Sequence, residues 1–181
     1  MSDRRPDRPR RPPPPLDRAG LERLALRYVE RFATTRGKLT AYLMRKVRER
    51  GWDGPAADPT ALAERMADLG YVDDHAFAEA RASAMTRRGL GARRVAQDLR
   101  AAGIDEADAA DLAPAIAGRA AEAALAFARR RRIGPFGSGS ADRLLREKQL
   151  AAMIRAGHGF DLARRIVTMA PNETFDGGDD G

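Results

Sequence analysis

The residues with the clearest chemistry in this sequence are arginines set around glycine turns. Arg87 and Arg88 precede a Gly-Leu-Gly turn, Arg93 and Arg94 follow it, and Arg100 comes two helical turns later. Further on, Arg129, Arg130, Arg131 and Arg132 form an unbroken run. A guanidinium is a permanent cation whose planar fork matches the oxygens of phosphates and carboxylates. The chemistry on offer is therefore binding. Any one of these arginines reads best as part of a solvated face on an alanine-rich helical protein. Taken together they read as a surface for a polyanion or an acidic protein.

Residues suited to covalent or acid–base work are few and poorly spaced. His75 sits beside a helix start and His158 lies between two glycines, and neither has a second histidine at ligand spacing. The chain has no cysteine, which removes disulfides and thiolate zinc sites. Asp73 and Asp74 precede an apolar-periodic run, where adjacent acids serve as helix caps rather than as a catalytic pair. The stretch Gly134 to Gly139 lacks the GxxxxGK[ST] spacing of a phosphate-binding loop and reads as a turn. Ser83 and Ser138 have no base within sequence reach. Tyr28, Trp52 and Tyr71 read as packing residues rather than as stacking platforms for bases. No enzyme, no cofactor and no metal are expected.

The elements that position the arginines are short helices. Gly70 suits the left-handed residue after a helix, and Asp73 and Asp74 offer N-cap oxygens to the next one. In that next helix Phe77, Ala80, Ala84 and Met85 fall near one face. Gly89 and Gly91 break it. A further helix carries Ala92, Val95, Ala96 and Leu99 inward, and ends at Gly103 with Ile104 placed for an apolar contact. The same pattern recurs at an offset of about 52 positions, which lays Arg36-Gly37 on Arg88-Gly89, Leu43 on Val95, Val47 on Leu99 and Gly51 on Gly103. A looser copy, at an offset of about 54, puts Met153 near Leu99 and Gly157 on Gly103. Self-similarity of this kind marks a repeat array whose units bury their apolar faces partly against one another.

The motif Gly70-Tyr71-Val72-Asp73-Asp74, followed by Phe77-Ala78, Arg87-Arg88-Gly89, Leu99 and Gly103-Ile104, resembles the RecX family, regulators of the RecA recombinase. The resemblance covers roughly residues 20 to 170, with the central motif the most specific part. It implies an all-α fold, an elongated array of tandem three-helix repeats with about three units, the first of them incomplete. It also implies a non-enzymatic function: binding the filament of RecA on single-stranded DNA, and inhibiting ATP hydrolysis, strand exchange and coprotease activity in DNA repair and the SOS response. The partners it implies are the RecA filament and the single-stranded DNA within it, with weak binding to free DNA. The sequence-level rival is a stand-alone module that reads duplex DNA through Ala92 to Ala102, presenting Arg93, Arg94, Gln97 and Arg100. A third reading is a helical scaffold for an acidic protein.

The chain divides by composition. Residues 1–18 form a basic, proline-dense leader, read as disordered because it cannot bury enough apolar surface to order itself. Residues 19–54 form a first, partial repeat: Asp17 caps a helix with Leu21, Leu24, Tyr28 and Phe32, and a second helix carries Leu39, Leu43 and Val47. Trp52 to Pro59 reads as a connection. The central three-helix repeat spans 58–113, opening with a helix that Thr60 caps and that buries Leu62, Met66 and Leu69, and closing with a short acidic helix that begins at Asp105. The third repeat spans 114–170. Its first helix starts at Pro114 and runs to about Arg132 through Ile116, Ala120, Ala124 and Phe127. A Gly/Ser-rich loop occupies 134–140, and helices resume near Ala141 and Asp161, the latter buried through Leu162, Ile166 and Met169. Residues 171–181 read as a disordered acidic tail.

Charged residues make up 33% of the chain and aromatics only 6%, which fits a string of small helical units better than a large enzyme core. The basic leader and the acidic tail nearly cancel, so the formal net charge of +7 belongs to the helical body. No apolar run approaches the roughly 20 residues needed to cross a bilayer, and the leader lacks the apolar segment of a secretory signal. A cytoplasmic monomer without a membrane partner is expected.

Overall fold

Six helices in this chain begin where a short polar side chain accepts a backbone N–H hydrogen bond. The capping residues are Asp17, Thr35, Asp58, Asp73, Asp105 and Asp142. In the computed structural model, which describes residues 14–139 and 142–176, these caps open α1 (Arg18–Arg31), α2 (Arg36–Arg50), α3 (Pro59–Asp68), α4 (Asp74–Arg87), α6 (Glu106–Gly118) and α8 (Arg143–Arg155). The remaining helices are α5 (Ala92–Ala101), α7 (Ala120–Arg131) and α9 (Phe160–Thr168), with a short 3-10 turn at Gly134–Phe136. Among the described residues there is no strand, only an isolated backbone bridge between Leu16 and Trp52. None of these helices is long and apolar enough to cross a membrane. The all-α array of three-helix groups expected from the sequence is present.

The chain separates into two compact units, the first ending at Val72 and the second beginning at Asp73. In the first, α1, α2 and α3 pack together around Leu16, Leu21, Ala25, Leu39, Leu43, Leu62, Ala63, Met66 and Val72. This moves a boundary. The sequence reading ended the first repeat at 54 and gave the helix after Pro59 to the central one. In the structure α3 completes the first group, so that group has its full three helices. Trp52 to Pro59 looks like a linker because it holds Gly54 and Pro55. Trp52 nevertheless sits beside the bridge, packs on the core and donates its indole N–H to the Pro55 carbonyl. The cap of α3 is Asp58 rather than Thr60, with Pro59 in the first turn, where its missing N–H is not needed. Leu69, expected inside, is 58% exposed.

The leader is also shorter than composition implied. Leu16 is buried, and its N–H donates to Gly51 O (3.0 Å) while its carbonyl accepts from Asp53 N (2.8 Å). Arg50 donates to the Pro14 carbonyl through Nε and Nη2. The rest of the leader, 1–13, lies outside the described residues, as do Ser140 and Ala141 and the end of the acidic tail, 177–181.

In the second unit, α4, α5 and α6 pack around Ala78, Ala82, Met85, Val95, Leu99, Ala102, Ile104 and Leu112. α7, α8 and α9 pack around Ala124, Phe127, Ala128, Ile133, Met153, Ala156, Ala163, Ile166 and Val167. The buried face of α4 is Ala78, Ala82 and Met85, rotated from the Phe77–Ala80–Ala84 stripe expected, because small alanines define a face weakly. On α5, Val95 and Leu99 are buried but Ala92 and Ala96 are exposed. α6 runs through Pro114 to Gly118 instead of restarting there, which shifts Ile116 into the central group. Pro114 and Ala110 both lie on the exposed side, where water can satisfy the carbonyl that proline leaves free. The start of the acidic tail is packed rather than loose. Asn172 N–H donates to Pro135 O (2.9 Å), Phe175 packs on the third core, and Arg165 lies over its ring at 4.8 Å.

Candidate functional site

The arginines gather where the turn between α4 and α5 meets α7 and the end of α8. α4 ends at Arg87 with Arg88 as its C-cap, and Gly89 adopts a φ of 72°, with its N–H donating to Thr86 O at 2.7 Å. Gly91 then opens α5 without a side-chain cap. Its exposed first-turn amides find other acceptors: Gly91 N–H donates to Ala156 O (2.9 Å) and Arg93 N–H to Gly157 O (3.2 Å). The open N-terminus of α5 and the open C-terminus of α8 thus satisfy each other, with their dipoles in the attractive sense.

Only glycine permits this approach. A methyl group on Gly91 would lie 2.3 Å from the carbonyl carbon and oxygen of Gly157, and one on Gly157 would lie 2.5 Å from Arg94 N. On the opposite side a methyl on Gly89 would sit 2.6 Å from Phe127 N. The junction is closed by His158, which is 2% exposed. Its Nε2 lies 3.1 Å from Gly89 O, and since a carbonyl only accepts, Nε2 carries the proton. The imidazole also packs against the Phe127 ring, 5.5 Å between centroids. Burial pushes the His158 pKa below its ordinary value, an effect the bond to Gly89 partly opposes. The imidazole is therefore neutral at physiological pH.

Around this pin stand several of the arginines singled out in the sequence. The backbone N of Arg94 lies 2.5 Å from where a methyl on Gly157 would be, its guanidinium turning to Gln97 Oε1 (3.3 Å), and Nη2 of Arg130, on α7, lies 2.8 Å from where a methyl on Gly89 would be. Arg88 and Arg93 are exposed on either side of the turn. The other positions spread out. Arg87 turns back to Ser83 Oγ (2.7 Å). Arg100 is exposed near the far end of α5. Arg129 stacks over Phe136 at 4.9 Å and Arg131 over Phe127 at 5.8 Å. Arg132, in the left-handed conformation with φ 54°, turns towards a separate cavity. Successive residues on a helix point about 100° apart, so the run Arg129 to Arg132 fans out rather than forming one patch. The sequence reading missed two parts of the site. One is His158, which the sequence places only between two glycines and away from any ligand spacing. The other is the bidentate pair of Arg81 with Asp98 (2.7 and 3.0 Å), which ties α4 to α5 beneath the arginines. The repeated glycine after α2, α5 and α8 was the available signal for the first.

With this geometry in hand, comparison with known proteins decides the family. The regulatory protein RecX of Myxococcus xanthus is 34% identical over 178 residues, covering 93% of each chain. This chain belongs to the RecX family. The family model for the second three-helix domain of RecX matches residues 73–112, from the cap of α4 through α5 to the middle of α6, Arg87 to Arg94 included. RecX of Agrobacterium fabrum is 30% identical over 158 residues, covering 84% of each chain. The crystal structure of RecX from Lactobacillus salivarius aligns with a TM-score of 0.60 at 19% identity, over 82% of this chain and 93% of that one. That likeness supports the fold. The match to the second domain also fixes the phase of the repeats, since its first residue is Asp73, the cap of α4.

Proposed function

We propose that this chain is a non-enzymatic regulator that binds the RecA–single-stranded DNA filament in the cytoplasm. It acts as a monomer and lowers the filament's ATP hydrolysis, strand exchange and coprotease activity in DNA repair and the SOS response. One observation supports the reading above the others. In a chain of the RecX family, Arg94 on α5 and Arg130 on α7 both border one glycine junction held by backbone contacts, Arg94 at Gly157 and Arg130 at Gly89. Arg88 and Arg93 join them from the turn, and a cationic surface of this kind suits both the phosphates and the carboxylates of a nucleoprotein filament. Inhibition then needs no reacting group, because occupying the filament can block entry of a DNA partner or movement of a subunit.

The stand-alone duplex reader is less well supported. In helix-turn-helix proteins the N-terminal residues of the recognition helix meet the bases. Here the first-turn amides of α5 are already bound to Ala156 and Gly157. Co-sedimentation with purified recombinase tests the proposal. The chain is expected in the pellet when recombinase, single-stranded DNA and nucleotide are all present. Equal recovery with recombinase left out would overturn the filament reading.

A further inference from the structure

The third repeat holds a second site, away from the glycine junction. A cavity of about 300 Å³ opens between the end of α7, the turn after it, the first half of α8 and the end of α9. Part of its wall is aliphatic, Leu145 from α8 with Val167 and Met169 from α9 and its end, and the rest is polar or backbone, with Ser138, Gln149 and Thr168. Two cations line it, Arg132 and Arg146, and neither belongs to an ion pair among the described residues. The turn at Gly134–Phe136 is held firmly, because Gly134 closes on Ile166 O so tightly that no side chain fits between them. The cavity is thus a formed feature of the third core.

We infer that this cavity binds a peptide segment of a partner protein in which one aliphatic side chain is flanked by carboxylates. The aliphatic side chain enters among Leu145, Val167 and Met169, and the flanking carboxylates meet Arg132 and Arg146. A concave apolar site with a few convergent polar groups is the usual form of a ligand pocket. The alternative anionic occupant, a nucleotide, fits less well. Bases bind without sequence preference by stacking on aromatic rings, and no ring lines this cavity among the described residues. Phe136 and Phe127 are instead covered by Arg129 and Arg131. Leu144 and Leu145, 67% and 46% exposed at the start of α8, extend the apolar surface beyond the rim and give a peptide somewhere to continue.

This inference does not depend on the filament reading, and its test uses no recombinase. Fluorescence anisotropy of the full chain would be followed with a labelled peptide, Glu-Glu-Leu-Asp-Glu. The same peptide with Ser for Leu and a short oligo(dT) serve as comparisons. Saturable binding of the Leu peptide is expected, weaker by about tenfold or more with Ser, since the apolar contact is lost. Arg146→Gln should weaken binding and flatten its salt dependence, as should Arg132→Asn, a substitution that tolerates the left-handed backbone. Equal binding of the Leu and Ser peptides would overturn the proposal, showing attraction of charge alone. So would tighter binding of oligo(dT), which would assign the cavity to nucleic acid, or Arg132→Asn and Arg146→Gln variants that both bind the peptide as the parent does.

Discussion

His158 shows how one residue can couple folding to pH here. Its pKa is depressed in the folded chain, mainly by burial. The unfolded chain therefore takes up the proton first as pH falls. The stability this residue contributes is present above the ordinary histidine pKa of about 6.5 and is lost as pH falls from there through the lower folded value. Denaturant unfolding at several pH values should show the second unit weakening below about pH 6.5. In His158→Gln that part of the slope should be absent; identical slopes in the two proteins would remove His158 from the account. The glycines beside it allow a second residue-scale test. Gly91 has an ordinary φ of −78°, so Gly91→Ala acts through space alone, against the Gly157 backbone. It should cost about 1–3 kcal/mol or more. Gly118→Ala, with nothing within 4 Å, should be neutral or stabilise by up to about 1 kcal/mol. Parallel chemical denaturation of the two variants makes the comparison.

Among the elements, what the sequence revealed was the end of each middle helix. Gly51, Gly103 and Gly157 follow α2, α5 and α8 with φ of 80°, 75° and 95°, a backbone that side chains rarely adopt, so glycine marks the repeat plainly. Caps at Asp17, Asp73 and Asp105 were legible for a similar local reason. Membership of a group was not. α3 has a caps-and-stripe pattern that suits either neighbour, and its place in the first core is decided by Val72 and Leu16, far apart in the chain. Nor could the sequence reveal that Gly91 and Gly157 touch, because that contact joins turns from two different repeats. The inward face of the central group is tested by truncation. Leu99 is 1% exposed, and Leu99→Ala should cost about 2–5 kcal/mol by equilibrium unfolding. Phe77 is only half-buried, so Phe77→Ala should cost clearly less, and an equal or larger loss there would mean the face of α4 is misassigned.

For the whole molecule, the claim is that a chain with a formal charge of +7 directs its cations at a filament rather than at any available nucleic acid. Composition carried the sign of that charge but not its placement. It could not show that Arg130 and Arg94 border the same glycine junction, or that Arg129 and Arg131 are spent on aromatic rings. The most direct measurement is binding of a variant with Arg88→Glu, Arg93→Glu, Arg94→Glu and Arg130→Glu together, compared with the parent. Each would be offered naked duplex, naked single strand and assembled recombinase filament across a salt series. All four residues are exposed, so helical content and melting should be preserved. The parent should prefer the filament near physiological salt, with affinity falling as salt rises. The variant should lose filament binding and no longer lower ATP hydrolysis by the recombinase. A folded variant that binds and inhibits as the parent does, or a parent that prefers naked duplex, would contradict the account.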